Sequence, residues 1–204
     1  MSGETLLSAR GVTRRYGARV ALHVTDLDVH AGETIALTGP NGAGKSTLLS
    51  LLAGALVPSG GRVELASGTL VGWAPQRPAQ YGKLSARENL ELFARLGRVP
   101  NVEVVSERLL AEFGLPGDRQ ASATLSVGMR QRLNVAIALL GDPRVLLLDE
   151  PSASLDPEQR RRLWVLASGL RAHGGALVFA TQQLEELERA DRVIRLEEGR
   201  VAAA

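Results

Sequence analysis

The sequence contains no cysteine, few aromatic residues and only two lysines among its 24 basic residues. The absence of cysteine excludes disulfides and thiolate metal sites. With aromatic residues at 3%, the core has to be built mainly from Leu, Val and Ala. The longest apolar stretch, residues 48–57, is too short to cross a bilayer and contains Ser50 and Gly54. We therefore expect one domain of 204 residues that associates with a membrane only through a partner.

The charge pattern also excludes a class of function. The formal net charge is only +2, and acidic and basic residues are interspersed along the chain. A nucleic-acid-binding domain is typically marked by a clustered basic patch, which this chain lacks despite its pI of about 9.5. We therefore expect no direct binding of nucleic acid.

A glycine-rich segment dominates what is present. It follows an apolar run at 34–38 and leads into a second apolar run at 46–52, so strand, turn and helix are predicted in the order that a phosphate-binding loop requires. Glycines let successive backbone N–H groups curve around phosphate oxygens, and the helix N-terminus adds partial positive charge. The predicted nucleotide-binding residues are Gly39, Pro40, Asn41, Gly42, Ala43, Gly44, Lys45, Ser46 and Thr47.

Lys45 and Ser46 have the chemistry that such a loop needs. Lys45 can reach the β- and γ-phosphates, and the Ser46 hydroxyl can ligate Mg²⁺. The sequence uses Arg almost everywhere else, yet one of its two lysines lies here. An ammonium is a compact point charge, whereas a guanidinium is a wide planar fork, so a loop wrapped closely around phosphate favours Lys.

Apolar strands that alternate with helices predict an α/β fold with a mainly parallel sheet. The strands at 34–38, 145–149 and 176–180 are expected to be central, and Ser85 and Glu88 form a predicted capping box at a helix start. Glycines at 11, 17 and 32 are interpreted as turns between short N-terminal strands. The single domain at 1–204 is predicted to comprise an antiparallel β part at about 5–32, a core at about 33–77 and 141–204, and an inserted helical subdomain at about 78–140.

Two acids end the apolar strand at 145–149. A buried carboxylate without a partner is costly, so Asp149 is predicted to hold Mg²⁺ beside Ser46. Glu150 can polarise the attacking water. Ligands bind at the carboxyl ends of parallel strands, and Gln182 follows another such strand, so these side chains should converge with the phosphate loop on one cleft.

These residues together resemble the nucleotide-binding subunit of an ATP-binding cassette (ABC) transporter over essentially the whole chain. The segment at 39–47 matches Walker A, the segment at 145–150 matches Walker B plus the catalytic carboxylate, and 125–129 matches the signature motif that makes the resemblance specific. Further matches are Tyr16 with the aromatic that stacks on adenine, Gln76 with the glutamine that touches Mg²⁺ and faces the membrane partner, Ser154–Asp156 with the D-loop, and Gln182 with the switch position.

The resemblance implies a P-loop NTPase fold and an ATPase that uses ATP and Mg²⁺. Two subunits pack head to tail, so that Ser126 and Gly128 of one chain contact the ATP on the phosphate loop of the other. Asp156 of the D-loop is also among the nucleotide-binding residues that the resemblance implies. The partners implied are a second cassette, identical or paralogous, and an integral-membrane permease at the cytoplasmic face of the membrane. The Gly128–Arg132 run resembles export-type members. Glu150, Gln182 and Gln76 are the catalytic residues that the resemblance implies.

Two positions depart from the family pattern. Val127 stands where a glycine is usual, and a β-branched residue does not easily adopt φ > 0. If the position needs close backbone approach, binding of ATP across the pair of chains is weakened; if φ is negative there, Val is tolerated. Gln182 replaces a histidine; its amide N–H₂ can donate to a γ-phosphate, but it cannot carry a positive charge near neutral pH. For Gln182 we therefore expect preserved binding and slower turnover.

Two alternative functions stay open at the sequence level. One is a nucleotide-gated module with little or no hydrolysis, suggested by Val127 and Gln182 but opposed by the retention of Lys45, Asp149 and Glu150. The other is a soluble ABC ATPase acting on nucleic acid or ribosomes. Members of that kind usually carry tandem cassettes, a coiled-coil insertion or zinc-binding cysteines, and this sequence has none of these.

Overall fold

The computed structural model describes residues 3–202, so the outermost ends of the predicted domain, residues 1–2 and 203–204, lie outside it. Two β-sheets organise the chain. One has three antiparallel strands in the order β2-β1-β4, and the other has six strands in the order β5-β6-β7-β3-β8-β9. The strands are β1 Thr5–Tyr16, β2 Arg19–His30, β3 Thr34–Thr38, β4 Gly60–Leu65, β5 Val71–Ala74, β6 Val145–Asp149, β7 Ala176–Ala180, β8 Arg192–Glu197 and β9 Arg200–Val201.

The antiparallel sheet corrects two predictions. Strand β4 pairs with β1, so residues 60–65 belong to this sheet and not to the core in which we had placed them. Gly11 does not end a strand; it lies inside β1 with φ 58°, where the register with β2 shifts between Ala9 and Val12. A positive φ inside a strand is typical of a β-bulge, so the glycine bends a long strand without interrupting it.

The six-stranded sheet confirms the predicted fold class. Strands β5, β6, β7, β3 and β8 run parallel, and only β9 is antiparallel to its neighbour β8. The predicted central strands β6, β7 and β3 are adjacent in the sheet. Every residue of β6 and β7 is buried, as expected for parallel strands that are covered on both faces.

Alternate residues of the parallel strands enter two separate cores. Val145 and Leu147 of β6 pack in a cluster with helix α1 (Lys45–Leu52) and the antiparallel sheet. Leu146 and Leu148 pack in a second cluster with residues of the helices on the other face. The phosphate loop therefore leads into a helix that is held between the two sheets.

The remaining helices cover the second face. Ser85 accepts a hydrogen bond from the Glu88 backbone N–H, and the Glu88 side chain accepts from the Ser85 N–H, which confirms the predicted capping box. The helices are α2 Ala86–Leu96, α3 Val102–Phe113, α4 Val127–Ala138, α5 Pro157–Ala172 and the short α6 Leu184–Leu187. In residues 3–202, none of the helices has both the length and the apolar character needed to span a bilayer.

Candidate functional site: a nucleotide cleft at the carboxyl ends of the parallel strands

The phosphate loop can exist only because of its glycines. Gly39 has φ 136°, and a Cβ there would lie 2.0 Å from the carbonyl oxygen of Leu196 in β8. Gly44 has φ 105°, and a Cβ there would lie 2.9 Å from the carbonyl oxygen of Ala21 in β2. Both sheets therefore press against the loop, and only glycine fits at these two contacts.

Lys45 begins helix α1 and lies inside the loop. Its side chain is 6% exposed, and Nζ donates to the carbonyl oxygens of Gly39 at 2.7 Å and Pro40 at 3.1 Å. The ammonium thus stands at the centre of the curved backbone. The loop borders a cleft of about 290 Å³, lined by Tyr16, Arg19, Ala21, Asn41, Gly42, Ala43, Gly44, Lys45, Ser46, Thr47, Gln76, Asp149 and Glu150.

The burial and hydrogen bonding of Asp149 show whether this cleft suits a divalent cation. The residue is 2% exposed, and its Oδ1 atom has no hydrogen-bond partner among residues 3–202. Burial raises the pKa of Asp149, while the Ser46 hydroxyl and the Lys45 charge oppose that shift. An unpaired, buried carboxylate oxygen beside a hydroxyl is a donor set that Mg²⁺ accepts, so these residues fit the ion.

Glu150 turns away from its neighbour through an unusual backbone conformation. Its φ is 52°, a left-handed value that few non-glycine residues adopt, and its N–H donates to the Ala180 carbonyl at 3.0 Å. Burial raises the pKa of Glu150, and the hydrogen bond from Gln182 opposes that shift. The two consecutive acids thus point in different directions within one cleft.

Gln182, which follows β7, is not among the lining residues of the cleft, but its side chain is hydrogen-bonded to two residues that are. Its Nε2 donates to Asn41 Oδ1 at 2.7 Å and to Glu150 Oε1 at 3.2 Å. We had expected this amide N–H₂ to be available to a γ-phosphate. Both of its hydrogens are instead used within the protein, on the phosphate loop and on the second acid.

Tyr16 and Gln76 lie on the rim of the cleft. Tyr16 is 51% exposed, and the Arg14 guanidinium lies 4.6 Å from the centroid of its ring. Gln76 follows β5 and is exposed, and its backbone group is one of the contacts that oppose the rise in the pKa of Asp149. Sequence reasoning placed both near the nucleotide, and the structure brings both to the cleft.

The signature residues do not line the cleft. Ser126 is exposed and caps α4, since its hydroxyl accepts from the Met129 N–H at 3.1 Å. Asp156 is exposed and caps α5 through the Gln159 N–H at 2.8 Å. A Cβ on Gly128 would lie 3.1 Å from the Ser154 carbonyl oxygen, so the glycine lets α4 approach the segment before α5.

Val127 does not have a positive φ, so its backbone has the conformation that a valine tolerates. It is the first residue of α4 and is not among the residues with positive φ. Its side chain is 58% exposed. Helical backbone suits a valine at this position, so the substitution adds bulk on the surface without backbone strain.

Two amides that sequence reasoning missed anchor α4 to the cleft. Gln131, 7% exposed, donates to the Pro151 carbonyl at 3.3 Å, and Asn134, 3% exposed, donates to the Pro75 carbonyl at 2.7 Å. Pro151 directly follows Glu150, and Pro75 directly precedes Gln76. The available signal was that these two amides are interspersed with apolar residues along α4, because polar groups are buried only with partners.

Comparisons with known proteins agree with this geometry. A model of the family described as "ABC transporter" matches residues 22–153. The chain is 36% identical to daunorubicin resistance ATP-binding protein DrrA3 of Streptomyces coeruleorubidus, over 98% of this chain and 68% of that protein. It is 37% identical to Nod factor export ATP-binding protein I of Cupriavidus pinatubonensis, over 90% of this chain and 61% of that protein.

A further relative is much longer than this chain, and a solved structure has the same fold. The chain is 38% identical to mouse ATP-binding cassette sub-family A member 9, of which it spans only 13%. A structure described as a dimer of MJ0796, a bacterial ABC transporter cassette, superposes with a TM-score of 0.86 at 24% identity and 97% coverage of both chains. The family match, the relatives and the P-loop NTPase fold together establish that this chain belongs to the ABC transporter family, as an ATP-binding cassette.

Proposed function

We propose that this cassette binds ATP with Mg²⁺ and hydrolyses it to drive transport through a separate membrane permease. The observation that carries the proposal is the convergence of Lys45, Asp149 and Glu150 in one cleft at the end of the phosphate loop. A cation, a metal-binding carboxylate and a second carboxylate that can accept a proton are what phosphoryl transfer to water requires.

Each group has a distinct task in this reaction. The loop N–H groups and Lys45 neutralise the β- and γ-phosphates. Ser46, Asp149 and Gln76 would hold Mg²⁺, which supplies further neutralisation of phosphate charge when bound. Glu150 accepts a proton from the attacking water while the water oxygen bonds to the γ-phosphorus and the bond from phosphorus to the ADP oxygen breaks. Tyr16 is the proposed platform for adenine.

The signature residues require a second chain. Ser126, Gly128 and Asp156 lie outside the cleft that holds the phosphate loop, so one chain by itself leaves the exposed side of the γ-phosphate without these groups. We propose that two cassettes pack so that the signature turn of each closes the cleft of the other. Because the γ-phosphate is present only before hydrolysis, closure then depends on the nucleotide.

The proposed setting is the cytoplasmic face of a membrane, with the permease as partner and export as the direction. A relative named for Nod factor export and another named for daunorubicin resistance support export. The chain spans only 61% to 68% of those two proteins, so their substrates are not carried over. The second cassette is identical or a paralogue.

The test is steady-state hydrolysis of Mg·ATP by the purified chain across a range of protein concentrations. We expect activity that rises faster than linearly with protein and falls at least about 100-fold in Glu150→Gln. Nucleotide affinity of the variant should stay close to that of the wild type. ATP binding without Glu150-dependent hydrolysis would contradict the proposal and favour a nucleotide-gated module.

A further inference from the structure

The side-chain amide of Gln182 connects three segments of the chain at the cleft through hydrogen bonds. Gln182, after β7, donates through Nε2 to Asn41 of the phosphate loop and to Glu150 after β6. The two contacts use both hydrogens of the amide nitrogen. A residue of the phosphate loop is thereby connected to the proposed general base through a single side chain.

The direction of this amide follows from chemistry. An ionised Glu150 can only accept hydrogen bonds, so the nitrogen end of the Gln182 amide has to face it. The same nitrogen lies 2.7 Å from Asn41, so the Asn41 atom that faces it has to be the oxygen. Two acceptors on one side therefore fix the orientation of Gln182. Its carbonyl oxygen is left with no hydrogen-bond partner among residues 3–202.

From this geometry we infer that Asn41 is a positioning residue for hydrolysis, in addition to being part of the phosphate loop. Asn41 holds the Gln182 amide so that its N–H₂ orients the Glu150 carboxylate and its Oε1 faces away as an acceptor for a hydrogen of the attacking water. The inference rests on the proposed hydrolytic function. In this chain the water is oriented by a neutral amide, which needs no proton of its own to stay in place.

The linkage should affect the rate and leave stability nearly unchanged. Asn41, Gln182 and the contacts between them are exposed. An exposed hydrogen bond between neutral groups contributes little to folding because water replaces either partner. Holding a water-orienting group in place affects only the reacting complex. Loss of Asn41 should therefore lower the hydrolysis rate with little effect on nucleotide affinity or on the melting temperature.

The experiment is a double-mutant cycle measured in single turnovers at saturating Mg·ATP. Asn41→Ala should slow hydrolysis by about 10-fold, which corresponds to a coupling within the range seen for contacting residues. Gln182→Ala should slow it by at least as much. Because Asn41 acts through Gln182, adding Asn41→Ala to Gln182→Ala should change the rate by less than about 2-fold. Effects that multiply would overturn the inference.

A matched variant tests the amide itself. Gln182→Glu keeps the size of the side chain but cannot donate to Asn41 or Glu150, so it should be no faster than Gln182→Ala. Affinity for a fluorescent ATP analogue, measured on the same proteins, should stay within about 3-fold of wild type for Asn41→Ala. A parallel loss of affinity and rate would assign Asn41 to phosphate binding alone.

A readout that does not need turnover separates the two proposals. The Gln182 side-chain N–H₂ resonances of ¹⁵N-labelled protein can be assigned by their loss in Gln182→Ala. Asn41→Ala should shift them, and an unchanged position would overturn the linkage even in an inactive protein. If the wild type shows no Glu150-dependent hydrolysis, the proposed function fails; if it hydrolyses ATP but the cycle is additive, only this inference fails.

Discussion

The phosphate-loop cleft and the signature turn, residues 125–129, differ in how their polar groups are used. In the cleft, Lys45 and Asp149 are buried, and one carboxylate oxygen of Asp149 has no hydrogen-bond partner in the described part of the chain. At the signature turn, Ser126 is exposed and is already hydrogen-bonded as a helix cap. The cleft thus has a buried polar atom that a ligand or ion can pair with, whereas the signature turn already uses its hydroxyl in a hydrogen bond of its own helix. The Ser126 hydroxyl caps its own helix, so under the proposed pairing it contacts nucleotide only on a second chain.

The largest difference should come from the loop backbone. Gly39→Ala places a Cβ 2.0 Å from the Leu196 carbonyl oxygen, so the loop and β8 cannot both keep their positions. We expect loss of ATP binding and destabilisation by at least about 3 kcal/mol. Gly42→Ala is the matched control, since its φ is also positive but no heavy atom of residues 3–202, apart from Gly42 and its chain neighbours, lies within 4 Å of the new Cβ. Calorimetry and nucleotide titration of both variants measure the contrast; equal effects would show that the β8 contact is unimportant.

Asp149 in the cleft and Asp156, which caps α5 outside the cleft, should respond differently to the same change. Asp149→Asn should lower Mg²⁺-dependent hydrolysis by at least about 100-fold. Its unfolding free energy should stay within about 1 kcal/mol of wild type, because relief from burying a charge opposes the lost attraction to Lys45. Asp156→Asn, which keeps a side chain able to cap α5, should lower hydrolysis by no more than about 10-fold. Titration with MgCl₂ and chemical denaturation check both, and an equal loss in the two variants would contradict the contrast.

Ser126→Asp distinguishes the role of Ser126 as the cap of α4 from its proposed contact with nucleotide. Aspartate caps a helix about as well as serine, so the melting temperature should hold. A carboxylate that faces the phosphates of a partner's ATP repels them by several kcal/mol, so hydrolysis should fall by at least about 100-fold. Ser126→Asn is the uncharged control and should retain most of the activity. If Ser126→Asp hydrolyses ATP normally, the signature turn does not meet nucleotide.

Val127→Gly should have the smallest effect. Val127 is exposed and helical, so glycine removes surface bulk and costs about 1 kcal/mol or less of helix stability. We expect hydrolysis within about 3-fold of wild type. A much larger increase in steady-state rate would mean that the valine side chain obstructs the closed pair.

Much of the fold and most of the cleft residues could be predicted from local pattern; Arg19 and Ala21, which also line the cleft, could not. The apolar runs at 145–149 and 176–180 read as buried parallel strands because periodicity reports burial directly. Strand β4 was misplaced because its mostly exposed residues carry no such signal, and its partner β1 lies about 50 residues earlier. The sequence predicts a turn at Gly11, where the structure has a bulge, because a glycine with φ > 0 occurs in both.

The links between cleft residues could not be predicted. Asn41 and Gln182 are 141 positions apart, and neither sequence position indicates which end of an amide faces the other. The anchors of α4 at Gln131 and Asn134 depend on backbone carbonyls, which every residue offers, so no sequence pattern marks their targets. Side-chain pairing across the cleft is a property of the folded chain, set by how the strand ends meet.

The most direct test of the account mixes two inactive variants. Lys45→Ala lacks a working phosphate loop and keeps its signature turn, whereas Ser126→Asp has the reverse defect. If each site is built from both chains, a mixed pair contains one intact site, and the mixture should regain up to about a quarter of wild-type hydrolysis. A mixture that stays as inactive as its components, with both variants folded, would contradict the claim that the two regions meet across a pair of chains.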